Sequence, residues 1–145
     1  MILSGITSLS IYFGLNSTGI AFSNFLFFSG IALSLFGLVY ESIADFHLYS
    51  FKKNNPGKRL YNEGLFKYSR HPNYFGEIVF WWGVYIMALC LGAPWWSIVS
   101  PALINWLIVN FSGVPFHKKK SEDQQFNNYV ESTNAIIPNF FKGNK

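Results

Sequence analysis

The chain has 145 residues, of which half are hydrophobic and a fifth aromatic, while only 12% are charged. Soluble domains carry about 25% charged residues, so this composition indicates a single-domain membrane protein covering residues 1–145. The net charge of +4 does not indicate nucleic-acid binding, because the basic residues fall in two blocks, Lys52 to Arg70 and Lys118 to Lys145. Blocks that flank apolar runs are typical of cytoplasmic loops beside membrane spans.

The first two apolar segments differ in length. Ile2 to Leu15 is short and interrupted by small polar residues, so it is a marginal span, since a crossing needs about 20 residues. Gly19 to Tyr40 is uncharged and predicts a transmembrane helix, in which small residues such as Gly30 and Ser34 favour a close helix neighbour. Nothing breaks the pattern at Tyr40, so the helix is expected to continue past Asp45 towards Phe51.

Two further spans follow the first basic block. Pro72 to about Leu91 predicts one, with Trp81 and Trp82 near its middle, where a packed cleft suits them better than a membrane interface. Gly92 to Pro94 predicts a turn, and Ser97 to Phe111 predicts the returning span.

The tail from Phe116 is polar and basic, with a short amphipathic helix expected to carry Phe126, Tyr129 and Val130 on one side. The apolar run from Ala135 to Phe141 is expected to dock against the membrane surface. The predicted fold is therefore all-α: a polytopic transmembrane helix bundle with three spans, one short N-terminal segment and a cytoplasmic amphipathic C-terminal tail. The positive-inside rule places the basic blocks in the cytoplasm.

The stretch from Gly64 to Glu77 combines basic and hydrogen-bonding residues with the start of a span. Pro72 suits the first position of a helix, which leaves Arg70 and His71 at a helix mouth that favours an anion. Asn73 and Glu77 share one helix face, beside Tyr74. A polar cluster at this depth predicts a functional site, although the same residues also suit an interfacial collar in which the long side chains reach the headgroups.

The predicted topology brings ionisable groups from four segments to one face of the membrane. They are Asp45, Lys52, Arg70, His71 and Lys118. No cysteine and histidine spacing predicts a metal site.

From about Tyr40 to Phe141 the chain resembles the C-terminal domain of the steroid 5-alpha-reductase superfamily, most closely its uncharacterised, mainly bacterial branch of membrane oxidoreductases. The features that carry the resemblance are Glu41 and Asp45 followed by a basic pair, the run Gly64-Leu65-Phe66-Lys67-Tyr68-Ser69-Arg70-His71-Pro72-Asn73-Tyr74-Phe75-Gly76-Glu77, Trp81-Trp82-Gly83, Ser112 to Pro115 and Ile136-Ile137-Pro138.

The resemblance implies an integral membrane oxidoreductase of lipid metabolism that holds NADPH on its cytosolic side. The hydride would reduce a carbon–carbon double bond of a lipid-like or steroid-like, hydrophobic small molecule. The cofactor contacts it implies are Asp45, Lys52, Arg70, His71, Asn73, Tyr74, Glu77 and Lys118. Carboxylates suit ribose hydroxyls, and cations suit phosphate.

Two departures from the family pattern stand out. Relatives usually carry a glutamate shortly after the Val-Pro, where this chain reads Phe116-His117-Lys118. Relatives also have more helices before the one ending at Tyr40, and these carry the acid and the phenol that polarise the substrate carbonyl. Met1 to Leu15 offers no equivalent, so no catalytic residue is assigned. The chain is then a truncated or minimal member, or a subunit whose partner chain supplies those helices.

Two alternatives remain open. Lipid and isoprenylcysteine methyltransferases, which use S-adenosylmethionine, share an Arg-His-Pro-x-Tyr-x-Gly motif at the same helix start and usually add an acidic pair, which Glu122-Asp123 would match. The second alternative is a non-catalytic membrane protein, motivated by the missing helices.

Overall fold

In the computed structural model, residues 24–58, 60–111 and 123–140 are described. Their elements in chain order are helix α1 (Asn24–Asn54), a 3-10 turn (Gly64–Lys67), α2 (Pro72–Cys90), a 3-10 turn (Trp95–Ile98), α3 (Val99–Phe111) and α4 (Gln124–Ser132). Of these described residues 76% are helical and none is in a strand, which confirms the all-α class. The predicted N-terminal segment and Lys118 lie outside the described residues.

Helix α1 is the one described helix that is long and apolar enough to cross a membrane, by its length and composition. As predicted, it continues beyond Tyr40 and ends at Asn54. Only 22% of its apolar window is buried within the protein, and large side chains such as Phe28, Phe36 and Val39 are more than half exposed. An apolar helix of this length with so little protein cover is what a lipid environment favours.

The prediction of three spans is not confirmed, because α2 and α3 are not both long and apolar enough to cross a membrane by themselves. Helix α2 has 19 residues, but Asn73 and Glu77 stand in its first two turns, so its uncharged part, Ile78 to Cys90, is shorter than the roughly 20 residues of a crossing. The apolar helical stretch Trp95–Phe111 is shorter than a full crossing.

The described chain forms two compact units, each built from separate stretches of sequence. Unit 1 comprises Met1–Leu38 and Glu77–Leu107, and unit 2 comprises Val39–Gly76 and Ile108–Lys145.

Unit 1 is held by close helix packing at small residues, as the sequence predicted. A Cβ atom placed on Gly83 of α2 would lie 2.6 Å from the Ser34 nitrogen and 2.7 Å from the Gly30 oxygen of α1. The Ser34 hydroxyl donates to the Phe80 carbonyl at 3.3 Å. The two backbones therefore approach at a distance that only glycine permits, as in small-residue contacts between membrane helices.

A second contact in unit 1 explains the mid-helix tryptophan. With the Asn105 amide oriented so that its oxygen faces the indole, Trp82 Nε1 donates to it at 3.0 Å. The Asn105 nitrogen then donates to the Pro101 carbonyl at 3.3 Å. Trp82 thus pairs with a polar residue inside an apolar unit, where an unpaired amide is costly.

Candidate functional site

Unit 2 contains a cavity of about 230 Å³, called here the basic cavity. It is framed by the end of α1, the segment that follows it, the start of α2 and one side of α4. Its lining residues are Leu48, Phe51, Lys52, Lys58, Leu60, Tyr61, Phe66, Arg70, His71, Asn73, Tyr74, Phe126, Tyr129 and Val130.

The charge on the walls of the basic cavity has one sign. Lys52, Lys58 and Arg70 line it, and none of its fourteen lining residues is an aspartate or a glutamate. Three cations beside one space make its electrostatic potential positive, although water and salt screen the exposed Lys52 and Lys58. The cavity is therefore suited to a ligand that carries negative charge, such as a phosphate ester.

Aromatic rings form most of the remaining wall. Phe51 at the end of α1 stacks on Tyr61 with ring centroids 4.6 Å apart, and Tyr61 contacts Phe66 at 5.1 Å. On the α2 side, His71 stacks on Tyr74 at 5.1 Å. Flat apolar faces beside cationic groups suit a ligand that has both rings and phosphates.

Helix α2 begins at Pro72, as the sequence predicted. The backbone N–H groups before it do not face an open helix mouth, however. The Arg70 N–H donates to the Asn134 carbonyl at 2.9 Å, and the His71 N–H donates to the Ala135 carbonyl at 3.0 Å. The attraction of this site for an anion therefore comes from side chains rather than from these two backbone groups.

The partners of those N–H groups belong to the stretch Asn134–Phe140, called here the C-terminal strip. It pairs with the motif loop, Tyr68–His71. The buried Ser69 hydroxyl donates to the Ile136 carbonyl at 2.7 Å, and the Asn139 N–H donates to the Tyr68 carbonyl at 3.0 Å. The strip thus fixes the loop that carries Arg70.

Tyr129 of α4, which lines the cavity, holds the 3-10 turn that precedes the motif loop. Its hydroxyl donates to the Phe66 carbonyl at 2.6 Å. Burial raises the pKa of Tyr129 well above its usual value, and the positive charge of Arg70 opposes that shift. Burial lowers the pKa of Arg70, which the Tyr129 phenol opposes. Even so, the guanidinium stays charged, because an arginine pKa lies far above neutral pH.

The structure brings together five of the eight residues that the sequence proposed for a cofactor. Lys52, Arg70, His71, Asn73 and Tyr74 all line the basic cavity.

Two of the other three, Asp45 and Glu77, do not line the cavity. Asp45 is exposed on α1, one turn before the lining residue Leu48. Glu77 lies one turn after Asn73 on α2 and belongs to unit 1. Lys118 is outside the described residues.

Sequence reasoning missed several residues of the cavity. Lys58 and Tyr61 lie in the segment between α1 and α2, which was interpreted from the sequence only as part of the first basic block. Phe126, Tyr129 and Val130 were predicted to share one side of a short helix, and the structure shows that this side forms a cavity wall. Their amphipathic spacing was the available signal, but the partner of that face was not evident from the sequence.

Two further grooves of unit 2, both open to solvent, adjoin the basic cavity. One, of about 510 Å³, shares Phe51, Lys58, Leu60 and Tyr61 with it. The other, of about 1030 Å³, shares Leu60 and Tyr129 and extends along polar residues of α4. A ligand larger than the cavity therefore has room to continue from it.

Asp123, part of the acidic pair that favoured methyl transfer, has a structural role. It is the N-cap of α4, and its carboxylate accepts from the N–H groups of Gln125 at 2.9 Å and Phe126 at 3.4 Å. Capping of this kind explains an aspartate at this position without a ligand.

The described residues are mainly helical, include one helix long and apolar enough to cross a membrane, and form a basic, aromatic cavity that is a candidate ligand-binding site. The chain matches the family described as "Protein of unknown function (DUF1295)" over residues 1–133 and belongs to that family. The match includes the N-terminal segment, whereas Ile136-Ile137-Pro138 lies beyond it. Neither a curated protein nor a solved structure matches the chain.

Proposed function

We propose that this protein is an integral membrane reductase of the steroid 5-alpha-reductase superfamily, which binds NADPH in the basic cavity and reduces a carbon–carbon double bond of a lipid-like substrate. The observation that carries the proposal is the composition of the cavity wall. Three cations, no carboxylate and several aromatic rings surround one space. That combination suits a phosphorylated dinucleotide.

Each class of lining residue has a role towards such a cofactor. Lys52, Lys58 and Arg70 would hold phosphate oxygens, with Arg70 able to form a paired contact. Asn73 supplies an amide that can both donate and accept, which suits a carboxamide or a ribose hydroxyl. The apolar rings exclude water and strengthen these polar contacts.

The size of the site is consistent with part of a dinucleotide. Ligand pockets usually measure about 300–1,000 Å³, so the cavity of about 230 Å³ holds one portion, and the rest extends along an adjoining groove. Asp45 lies one turn before Leu48 on α1. A ligand that extends past Leu48 would therefore meet the Asp45 carboxylate.

NADPH would supply the hydride, and the protein's contribution is to bind and orient it. The motif loop and the C-terminal strip serve orientation directly. Because Ser69 and the Arg70 and His71 N–H groups are all hydrogen-bonded, the backbone that carries Arg70 is fixed before a ligand arrives. Preorganisation of this kind reduces the entropic cost of binding.

The proposal includes a polytopic arrangement in which α2 and α3 also cross the bilayer. Exposed side chains on α3, namely Val99, Trp106, Val109 and Phe111, support it. Lys and Arg residues occur between α1 and α2, and the stretch between α2 and α3 has none. The cavity side is accordingly assigned to the cytoplasm.

Electrostatics separates the reductase from the methyltransferase alternative. NADPH carries several negative charges, whereas S-adenosylmethionine carries a sulfonium and an ammonium against a single carboxylate. Three wall cations with no acidic partner on the wall attract the first ligand and repel the second. The cavity therefore favours the reductase.

The test is binding to the full chain in nanodiscs, comparing NADPH with S-adenosylmethionine. We expect NADPH to bind more tightly than S-adenosylmethionine, and we expect Asn73→Ala to lower the affinity for NADPH. Asn134→Ala is the matched control, since the Asn134 side chain is exposed and only its carbonyl takes part in the strip. Preference for S-adenosylmethionine would support methyl transfer, and binding of neither would support a non-catalytic protein.

Two adjacent lysines at the end of α1 supply a second control. Lys52 lines the cavity, and Lys53 does not. Lys52→Gln should lower the affinity for NADPH about fivefold, near the 1 kcal/mol typical of an exposed ion pair, and the effect should shrink at high salt. Equal effects of Lys52→Gln and Lys53→Gln would indicate general surface charge instead of a phosphate contact.

A further inference from the structure

The C-terminal strip carries two large apolar side chains that the described protein does not cover. Ile137 is 69% exposed and Phe140 is 58% exposed. Both lie on a segment whose backbone is held to the motif loop, so their exposure is not that of a free chain end. A fixed, exposed apolar pair indicates a contact surface.

Contacts within unit 2 place this pair near the end of the apolar part of α1. The uncharged run of α1 ends at Tyr40, just before Glu41. The Tyr40 ring contacts that of Phe75, in the first turn of α2, with centroids 5.5 Å apart. The motif loop immediately precedes that turn, and the strip pairs with the loop.

Residues beside the strip are of the kinds found at a membrane surface. The Tyr68 ring lies 4.9 Å from that of Phe140, and tyrosines are enriched at the level of the headgroups. Lys67, next to Tyr68, is exposed and can reach anionic headgroups. In the sequence, Lys142 and Lys145 follow the strip.

From these contacts we infer that the C-terminal strip is a membrane-surface anchor, in which Ile137 and Phe140 insert into the interfacial layer of the bilayer. The occupant of this surface is lipid, because the strip pairs with the motif loop, and that loop leads directly into the turn whose Phe75 contacts Tyr40 at the end of the apolar part of α1. The inference rests on the membrane placement in the proposed function and on none of its chemistry. It also links the motif loop mechanically to the membrane surface.

The test uses spin labels on single cysteines in the full chain, with Cys90→Ala as background because Cys90 is buried. Labels at Ile137→Cys and Phe140→Cys are compared with one at the exposed Glu131 of α4, in nanodiscs of phosphatidylcholine and phosphatidylglycerol. We expect the ratio of oxygen to nickel-chelate collisions to be severalfold higher at Ile137 and Phe140. A ratio equal to that at Glu131 would overturn the inference.

A label at Phe36→Cys on α1 separates the two possible failures. If it reports lipid while the strip labels report water, the inference alone fails. If it also reports water, the membrane placement fails with it. Labelling of the unmodified chain by a lipid-phase photoreactive reagent gives a variant-free measure, and it should modify the peptide containing Ile137 and Phe140 but not α4. Modification of both or neither would contradict the anchor.

Discussion

The two units of this protein use their polar residues in different ways. In unit 1 polar side chains bond across helix contacts: the Ser34 hydroxyl donates to the Phe80 backbone carbonyl, and the Trp82 indole donates to the Asn105 amide. In unit 2 the cations Lys52, Lys58 and Arg70 share a cavity with no carboxylate on its wall. The difference is that the polar groups of unit 1 serve helix packing, whereas the cations of unit 2 line a space that a ligand can enter.

The largest expected effect is on ligand binding in unit 2. Arg70→Gln should lower the affinity for NADPH about 10- to 100-fold, because a hydrogen bond to a charged group contributes about 1.5–3 kcal/mol. Titration of NADPH in nanodiscs measures it. Lys53→Gln is the control, since Lys53 lines neither the basic cavity nor the two grooves that adjoin it. A similar loss in both variants would remove the distinction between cavity and surface.

The second prediction concerns helix packing in unit 1. Gly83→Ala should reduce the free energy of unfolding by about 1–3 kcal/mol, because the new methyl group would lie too close to the Ser34 and Gly30 backbone and force α1 and α2 apart. Unfolding in detergent by denaturant measures it, with the exposed Ala32→Ser as the control.

The folded fraction of Gly83→Ala should keep most of its affinity for NADPH, because Gly83 and its contacts Gly30 and Ser34 do not line the basic cavity. A loss of affinity without a loss of stability would mean that the division of roles between the units is wrong.

The sequence predicted the features that depend on local patterns and missed those that depend on contacts between distant residues. The continuation of α1, the start of α2 at Pro72 and the small-residue packing at Gly30 and Ser34 depend on local pattern, and the structure has all three. The pairing of the C-terminal strip with the motif loop joins residues more than 60 positions apart. No periodicity indicates such a contact, so the predicted docking of that segment on the membrane missed its hydrogen bonds to Ser69 and His71.

The candidate site was predictable only where its residues are close together in the sequence. Arg70, His71, Asn73 and Tyr74 are neighbours in sequence, so their convergence on one cavity is local. The wall formed by Tyr129 required knowledge of where α4 packs. Asp45 and Glu77 lie about one helical turn from lining residues. Helical spacing predicted which helix face Asp45 and Glu77 occupy, but it did not predict how far along that face the cavity extends.

The smallest expected effect concerns Tyr129 and alkaline pH. Burial raises the pKa of Tyr129 in the folded protein above the unfolded value of about 10. Above that pH the unfolded chain releases the phenolic proton while the folded protein retains it, so stability falls as pH rises. Tyr129→Phe removes this contribution, and it also removes the hydrogen bond to Phe66, which is worth about 1 kcal/mol at any lower pH.

The difference in melting temperature between the wild type and Tyr129→Phe should therefore be constant from pH 7 to 9 and shrink above about pH 10. Tyr49→Phe is the matched control, because Tyr49 is 64% exposed on α1 and does not line the basic cavity. A difference that stays constant through pH 11 would mean that the phenol ionises equally in both states. Tyr129 would then be a solvated residue at the edge of unit 2 and not part of the wall that surrounds Arg70.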